Sequence, residues 1–94
     1  LASALLGIQP DEQKKLAVWA KGRPIPNFDS AVWRHDYFGS VMRYADHGNR
    51  SSDYGWEFDH FPVPASVGGR DIIANLRPLH WRANASLGGL LGNR

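Results

Sequence analysis

Four polar side chains within residues 55–84 are of the types that hydrolyse phosphodiester bonds. Asp59 and His60 are adjacent, Asn75 follows fifteen positions after the histidine, and Asn84 follows nine positions after that. A histidine with a pKa near neutrality can take a proton from water if a second group fixes its tautomer and ring orientation. Carboxylate and carboxamide oxygens suit a hard divalent cation, which can neutralise the charge on a phosphate. The residue types therefore favour a hydrolytic site with one metal ion.

In this interpretation His60 is the general base, Asn75 orients it, and Asp59 and Asn84 bind one Mg²⁺ or Mn²⁺ ion. Each residue also has a purely structural alternative. His60 lies in an aromatic run and could be a packed strand histidine, whereas Asn75 could simply form a turn. Adjacent strand residues point to opposite faces, so Asp59 and His60 share a site only if the strand twists or ends there. Pro62 favours such an end.

His80 stands four positions before Asn84. If both lie on one helix they share a face, which makes His80 the main rival as a metal ligand. We expect His80 instead to pack in the core or to contact the ligand side chains without binding the metal itself. Two further acid–histidine pairs lie in turn-like sequence and are expected at the surface: His35 with Asp36, and Asp46 with His47.

The sequence predicts a single α+β domain over residues 1–94, and its elements must position these residues. Residues 1–28 read as a helical extension followed by a loop. Pro10 suits a first helical turn, the acids after it suit the positive end of the helix dipole, and Gly22 is a plausible stop. Asp29 could then cap a short helix at residues 31–33.

The second half of the chain predicts a strand hairpin, a long loop and a final helix. Alternating apolar and polar residues indicate strands at 40–45 and 56–61, joined as an antiparallel pair. The loop at 65–71 contains two adjacent glycines that can take positive φ. Pro78 stands at a good first position for a helix over 79–86, and the paired glycines after that helix predict its end.

Composition limits the class of protein. A net charge of +2 is too small by itself to indicate nucleic-acid binding, but four arginines and one acid follow from position 70 onward. Such local positive charge favours a phosphate backbone, although it equally suits an ordinary polar surface. The arginines expected to contact DNA are Arg34, Arg70, Arg77 and Arg82.

The chain contains no cysteine, so we expect neither disulfides nor a structural zinc site built on thiolates. The absence of cysteine fits both the cytosol and the exterior, and a cytoplasmic location is the expectation. The apolar opening at residues 1–6 is too short to span a membrane, so no membrane partner is expected. The oligomeric state stays open.

Residues 32–88 resemble the HNH endonuclease family, in the H-N-N variant whose third signature residue is asparagine. They are also similar to a bacterial and phage branch of that family. The residues that carry the resemblance are Trp33, Arg34, His35, Asp36 and Gly39; Tyr54 and Gly55; Trp56, Glu57, Phe58, Asp59 and His60; Pro64, Gly68 and Gly69; and Asn75, Leu76, Arg77, Pro78, Leu79, His80, Trp81 and Asn84.

The resemblance implies a ββα-metal fold and cleavage of DNA, expected to be double-stranded, with one divalent ion. Carried over by position, His60 would be the general base, Asn75 would hold it, and Asp59 and Asn84 would bind the ion. The loop after His60 carries valine where many relatives carry a basic residue, and the lysine that often follows the last signature residue is absent. The cysteine pairs that bind a structural zinc ion in many members are absent too, as they are in this branch.

Two alternatives stay open, the first of which follows from the missing basic residue and lysine. One is a catalytically weak or inactive HNH-like module that binds DNA. The other is a protein-interaction domain, for instance a toxin fragment that awaits an inhibitor protein.

Overall fold

The structure, a computed structural model, describes residues 7–91, and for residues 89–91 it describes the backbone alone. The predicted apolar opening at residues 1–6 lies outside this range. The elements form a mixed α+β domain with two small antiparallel sheets and two helices. In chain order they are α1 Pro10–Trp19, β1 Arg23–Pro24, β2 Trp33–His35, β3 Val41–Arg43, β4 Trp56–His60, β5 Leu76–His80 and α2 Trp81–Leu91. Neither helix in this range is long and apolar enough to cross a membrane.

Helix α1 confirms the predicted helical extension. Pro10 occupies its first turn, and Asp11 and Glu12 place negative charge at the positive end of the helix dipole. Val18 and Trp19, in its last turn, are buried. The helix is therefore anchored in the core by its C-terminal end.

The core lies between α1 and the two sheets. Its buried cluster consists of Val18, Trp19, Met42, Trp56 and Leu76. The ring centroids of Trp19 and Trp56 are 5.0 Å apart. The indole of Trp56 also donates to the Tyr44 carbonyl at 3.1 Å, so this buried N–H has a partner. Both sheets and the N-terminal helix thus share one core.

The first sheet runs in the order β1, β2, β3. The predicted short helix at residues 31–33 is wrong: Asp29 caps a turn through the amide of Ala31, and Trp33 begins β2. A strand is present within predicted segment 40–45, but it pairs with β2 and not with β4. The reason is local, because a short turn brings β3 back onto β2 before the chain reaches β4.

The second sheet pairs β4 with β5, with Trp56 opposite His80 and His60 opposite Leu76. Strand β4 was predicted, but the predicted helix start at Pro78 is wrong because this proline lies in β5, opposite Phe58. Within the described residues β5 pairs with β4 alone, so proline's missing N–H can face away from the ladder.

Helix α2 begins at Trp81, directly after β5, and continues through the paired glycines to Leu91. The predicted stop at these glycines is also wrong. Glycine ends a helix when it takes a left-handed conformation, and the positive-φ glycines of the structure are Gly39, Gly48 and Gly68. The last of these confirms the positive φ predicted in the loop after His60.

Candidate active site

Strands β4 and β5 and the first turn of α2 surround the predicted site residues. The side-chain amide of Asn84 in α2 donates to Glu57 Oε1 in β4 at 2.8 Å. Glu57 and Asp59 are two positions apart in the strand, so they point to the same face. The structure therefore places Asp59 and Asn84 on one side of the hairpin.

Asp59 is a buried carboxylate with 2% of its surface exposed. Arg77 lies opposite it in the register, and Nε of Arg77 is 2.7 Å from Oδ2 of Asp59. The arginine side chain is itself mostly buried. A cation thus already lies beside the carboxylate to which the sequence assigns the divalent ion.

His60 is the last residue of β4 and points to the face opposite Asp59 by strand alternation. Its Nε2 lies 3.7 Å from Oδ1 of Asp71, whose other carboxylate oxygen is 3.1 Å from Nζ of Lys14 in α1. The imidazole is therefore close to a carboxylate on the α1 side of the sheet. Sequence reasoning missed Asp71, because a loop residue carries no periodic signal that would relate it to the histidine.

Asn75 is buried and its carboxamide binds the loop that follows His60. Its Oδ1 accepts from the amide of Val63 at 3.0 Å, and its Nδ2 donates to the carbonyls of Val63 and Arg70 at 2.9 and 3.1 Å. Its own carbonyl accepts from the amide of Phe61 at 3.0 Å. Asn75 thus fixes the backbone immediately after the histidine, which agrees with the turn-forming alternative, and its role in orienting the His60 ring stays a prediction.

Glycine is required in the same loop. A Cβ added at Gly69 would lie 1.9 Å from the carbonyl oxygen of Val63, the residue that Asn75 holds. A side chain at this position would therefore displace the clamped backbone.

His80 lies in the core, as expected, with 4% of its surface exposed. The prediction that it could share a helix face with Asn84 is wrong, because His80 ends β5 and the helix begins one residue later. Its Nδ1 accepts from the amide of Arg82 at 3.1 Å, so its Nε2 carries the proton and donates to the carbonyl of Asp53 at 2.7 Å. One ring nitrogen thus holds the backbone at the start of α2, and the other holds the loop before β4.

The four arginines expected at DNA differ in their surroundings. Arg34 donates to the carbonyls of Ser30 and Gly22 at 3.0 and 2.8 Å, so it holds backbone. Arg77 pairs with Asp59, as described. Arg70 and Arg82 are exposed, although Arg82 also contacts Asp53 at 2.9 Å and lies over the Trp81 ring.

Asp36 and Asp46, predicted at the surface, are buried, with 1% and 8% of their surface exposed. Asp36 accepts from the amides of Phe38, Ser40 and His80, at 3.0, 2.9 and 3.0 Å. Asp46 accepts from the side chains of Arg43 and Ser52, which hold its pKa below the ordinary value, with the Ser52 bond contributing most. The prediction was wrong because a carboxylate that accepts several hydrogen bonds tolerates burial. Of the two histidines, His47 is exposed as predicted and His35 is half-buried.

Glu57 is a second site residue that sequence reasoning missed. Its carboxylate accepts from Nε and Nη2 of Arg50 at 2.6 and 2.8 Å, in addition to the Asn84 amide. The Arg50 bond holds the pKa of Glu57 below its ordinary value, against the opposing effect of burial, and Asn84 adds to this lowering. Its position two residues before Asp59 was the available signal, since alternation puts both on one face.

We expect Glu57→Gln to lower the free energy of unfolding by roughly 0.5–1 kcal/mol at pH 7, a range typical of partly exposed pairs. A carboxylate with a depressed folded-state pKa contributes stability above its unfolded pKa of about 4.3 and loses it as the pH falls. The difference between native and variant should therefore vanish toward pH 3. Urea unfolding at pH 7, 5 and 3 measures it, and 0.5 M NaCl should reduce the difference at pH 7. A pH-independent difference would contradict this account of Glu57.

The oxygen donors on this face are of the type that a hard divalent cation takes: the carboxylates of Asp59 and Glu57 and the carboxamide of Asn84. Across residues 7–91 no three histidine, aspartate or glutamate side chains gather closely enough to bind a metal by themselves. A site here would therefore depend on the carboxamide oxygen of Asn84, as the sequence predicts. In chemical type the donor set fits the ion.

Comparison with known proteins adds no relative: no protein-family model matches the chain, and neither a curated protein nor a solved structure shows significant similarity to it.

Proposed function

We propose that this domain is an HNH-type endonuclease that hydrolyses phosphodiester bonds in DNA, with β4, β5 and α2 as its ββα-metal motif. The observation that supports this most is the position of Asn84. The first turn of α2 places it against the face of β4 that carries Asp59, one residue before His60. Asp59 and Asn84 thus share one face of β4, and His60 is the next residue of the same strand, with its side chain on the other face.

Asp59 and Asn84 would hold one Mg²⁺ or Mn²⁺ ion. When bound, such an ion neutralises charge on the phosphate and on the leaving oxygen. Two protein ligands are few, and Mg²⁺ commonly keeps several waters in addition. Glu57 is close enough to Asn84 to orient its carboxamide.

His60 supplies the base. Its imidazole removes a proton from a water molecule, the water oxygen attacks phosphorus, and the bond to the 3′ oxygen breaks. Asp71 lies beside the ring and Asn75 fixes the backbone that follows it, so both restrict where the imidazole points. The exposed Arg70 and Arg82 add positive charge that attracts the phosphate backbone.

A second candidate is an HNH-like module that binds DNA without cutting it. The contacts of the ligand residues favour this alternative, because Arg77 lies on the Asp59 carboxylate and Asn84 is bonded to Glu57. An ion must compete with both contacts before it can bind.

Nicking of supercoiled plasmid separates the two candidates. We expect the native chain to nick with Mn²⁺ and to stop in EDTA. Asn84→Ala should raise the Mn²⁺ concentration needed for half-maximal nicking by about tenfold or more, since one ligand is lost. Ser86→Ala, an exposed substitution in the same helix, serves as the matched control. Salt-sensitive DNA binding without nicking would support the binding module and contradict the nuclease.

A further inference from the structure

Three exposed aromatic side chains lie around the guanidinium of Arg77, beside Asp59. Tyr37 and Phe38, at the tip of the turn between β2 and β3, are 72% and 54% exposed, and their ring centroids are 5.1 Å apart at 90°. Phe61, which follows His60 directly, is 48% exposed. Single exposed aromatics are ordinary, but a cluster of three rings marks a contact surface. We call these three rings the aromatic platform.

Arg77 joins the aromatic platform to the site. Its guanidinium carbon lies 4.0 Å from the centroid of Phe61, 5.3 Å from that of Tyr37 and 5.9 Å from that of Phe38. The same guanidinium pairs with Asp59. A molecule on the platform would therefore lie next to Asp59, the predicted metal ligand in β4.

Asp36 fixes the turn that carries Tyr37 and Phe38, two of the three rings of the platform. One oxygen of this buried carboxylate accepts from the amides of Phe38 and Ser40, and the other accepts from the amide of His80 at the end of β5. Gly39 has a φ of +87°, which glycine adopts without strain. The turn is thus fixed both internally and to the second sheet, so a partner would not have to order it on binding.

Three basic side chains lie beside the platform, one of which, Arg77, is paired with Asp59. A cavity of about 150 Å³ beside Tyr37 is lined by Lys21, Arg23 and Arg77. Asp36 also lines it, but its oxygens accept the backbone amides just described. Lys21 donates to the Leu76 carbonyl at 2.7 Å, and Arg23 is exposed, with one Nη atom close to Gly39. Aromatic rings beside cations suit a nucleotide, because the rings take the base and the cations take its phosphate.

We infer that the aromatic platform stacks an unpaired base of a DNA strand that binds beside Asp59 and Arg77. This inference rests on the proposed function for its ligand, DNA. Bases inside a regular duplex present only their edges, so the rings of Tyr37, Phe38 and Phe61 can stack only on a base that has left the helix. The substrate class is therefore DNA with unpaired nucleotides, such as a single strand or a bulge, in preference to uniform duplex.

The test compares binding of three fluorescent oligonucleotides in EDTA: a single strand, a duplex with a one-nucleotide bulge, and the fully paired duplex. Stacking on aromatic side chains is worth about 1–3 kcal/mol per base. The double variant Tyr37→Ala/Phe38→Ala should therefore bind the first two about tenfold more weakly or worse, and the paired duplex within about twofold of native. Phe28→Ala, which removes a ring that is 61% exposed on another loop, is the matched control and should change none of the three.

Salt dependence separates stacking from charge. The double variant removes no charge, so the slope of log affinity against log salt should stay as in the native chain, whereas Arg23→Gln should reduce it. Melting curves of the variants check that the fold is kept. Binding of the single strand by the double variant within twofold of native overturns the inference and leaves the platform as a protein-docking surface. Equal losses on all three oligonucleotides also overturn it.

The same experiment stays informative if the proposed function fails. Binding in EDTA needs neither metal nor cleavage, so the preference for unpaired DNA can be measured whether or not the chain nicks plasmid. A chain that never nicks DNA but loses that preference in the double variant supports the platform and contradicts the nuclease. A chain that nicks but shows no preference supports the nuclease and contradicts the platform.

Discussion

Replacing His60 by Ala is expected to slow plasmid nicking by a factor of about 10²–10⁴, the usual contribution of a positioned general base. The imidazole ends β4 beside Asp71, and the backbone after it is clamped by Asn75. Removing the ring leaves those supports in place but takes away the group that we propose as the acceptor of the proton from water. The measurement is the rate of conversion of supercoiled to nicked plasmid in Mn²⁺.

Added imidazole distinguishes loss of the base from loss of structure. Because the alanine variant leaves a space of the right shape, free imidazole should restore part of the rate. Asn84→Ala should not respond to imidazole, since it lacks a proposed ligand and keeps its base. Nicking by His60→Ala at the native rate would show that this histidine is not the base.

Replacing Arg77 by Met should lower the free energy of unfolding in EDTA by about 3–5 kcal/mol, the usual cost of removing one partner of a buried ion pair. The guanidinium lies 2.7 Å from Asp59, whose side chain is 1% exposed. A divalent ion that binds Asp59 supplies the charge that the variant lacks. Mn²⁺ should therefore raise the melting temperature of Arg77→Met more than that of the native chain, in which the ion competes with arginine.

Arg82→Met is the matched control, because this arginine is exposed and pairs with an exposed acid. It should change stability by less than about 1 kcal/mol, with or without Mn²⁺. If Mn²⁺ raised the melting temperatures of native and Arg77→Met equally, Asp59 would not be a ligand of the ion.

Local features of the fold were predictable from the sequence. Pro10 and the acids after it marked the start of α1, and the alternation around Phe58 marked β4. These signals act within one turn or one strand, where propensity and burial agree. The pairing of strands was not predictable in the same way, because periodicity identifies a strand without identifying its neighbour.

Pro78 shows why the second half of the chain was misassigned. The same missing N–H that suits the first turn of a helix also suits a strand with an unpaired edge, and only tertiary context chooses between them. Asp36 shows a similar limit. Its burial depends on an amide of His80, far along the chain, and no local pattern predicts that contact.

At the candidate site, the residue types and their order led to Asp59, His60, Asn75 and Asn84. The structure places Asp59 and Asn84 on one face of β4, His60 on the other face, and Asn75 against the loop that follows the strand. Glu57 could have been added by applying the two-residue alternation to its own strand. Asp71 could not, because its proximity to His60 results from the path of a loop. Residue types that could bind a metal can thus be recognised in the sequence, whereas the side chains that orient them are known only from the folded chain.

Strand β5 passes into helix α2 without a connecting residue, since His80 ends one and Trp81 begins the other. The direction in which each side chain of α2 points is therefore set by the end of β5. Inserting a single residue at this junction would turn every later side chain by about 100° around the helix axis. Asn84 would then swing away from β4, so natural length variation in this protein should be excluded at the junction and be tolerated in the loops instead.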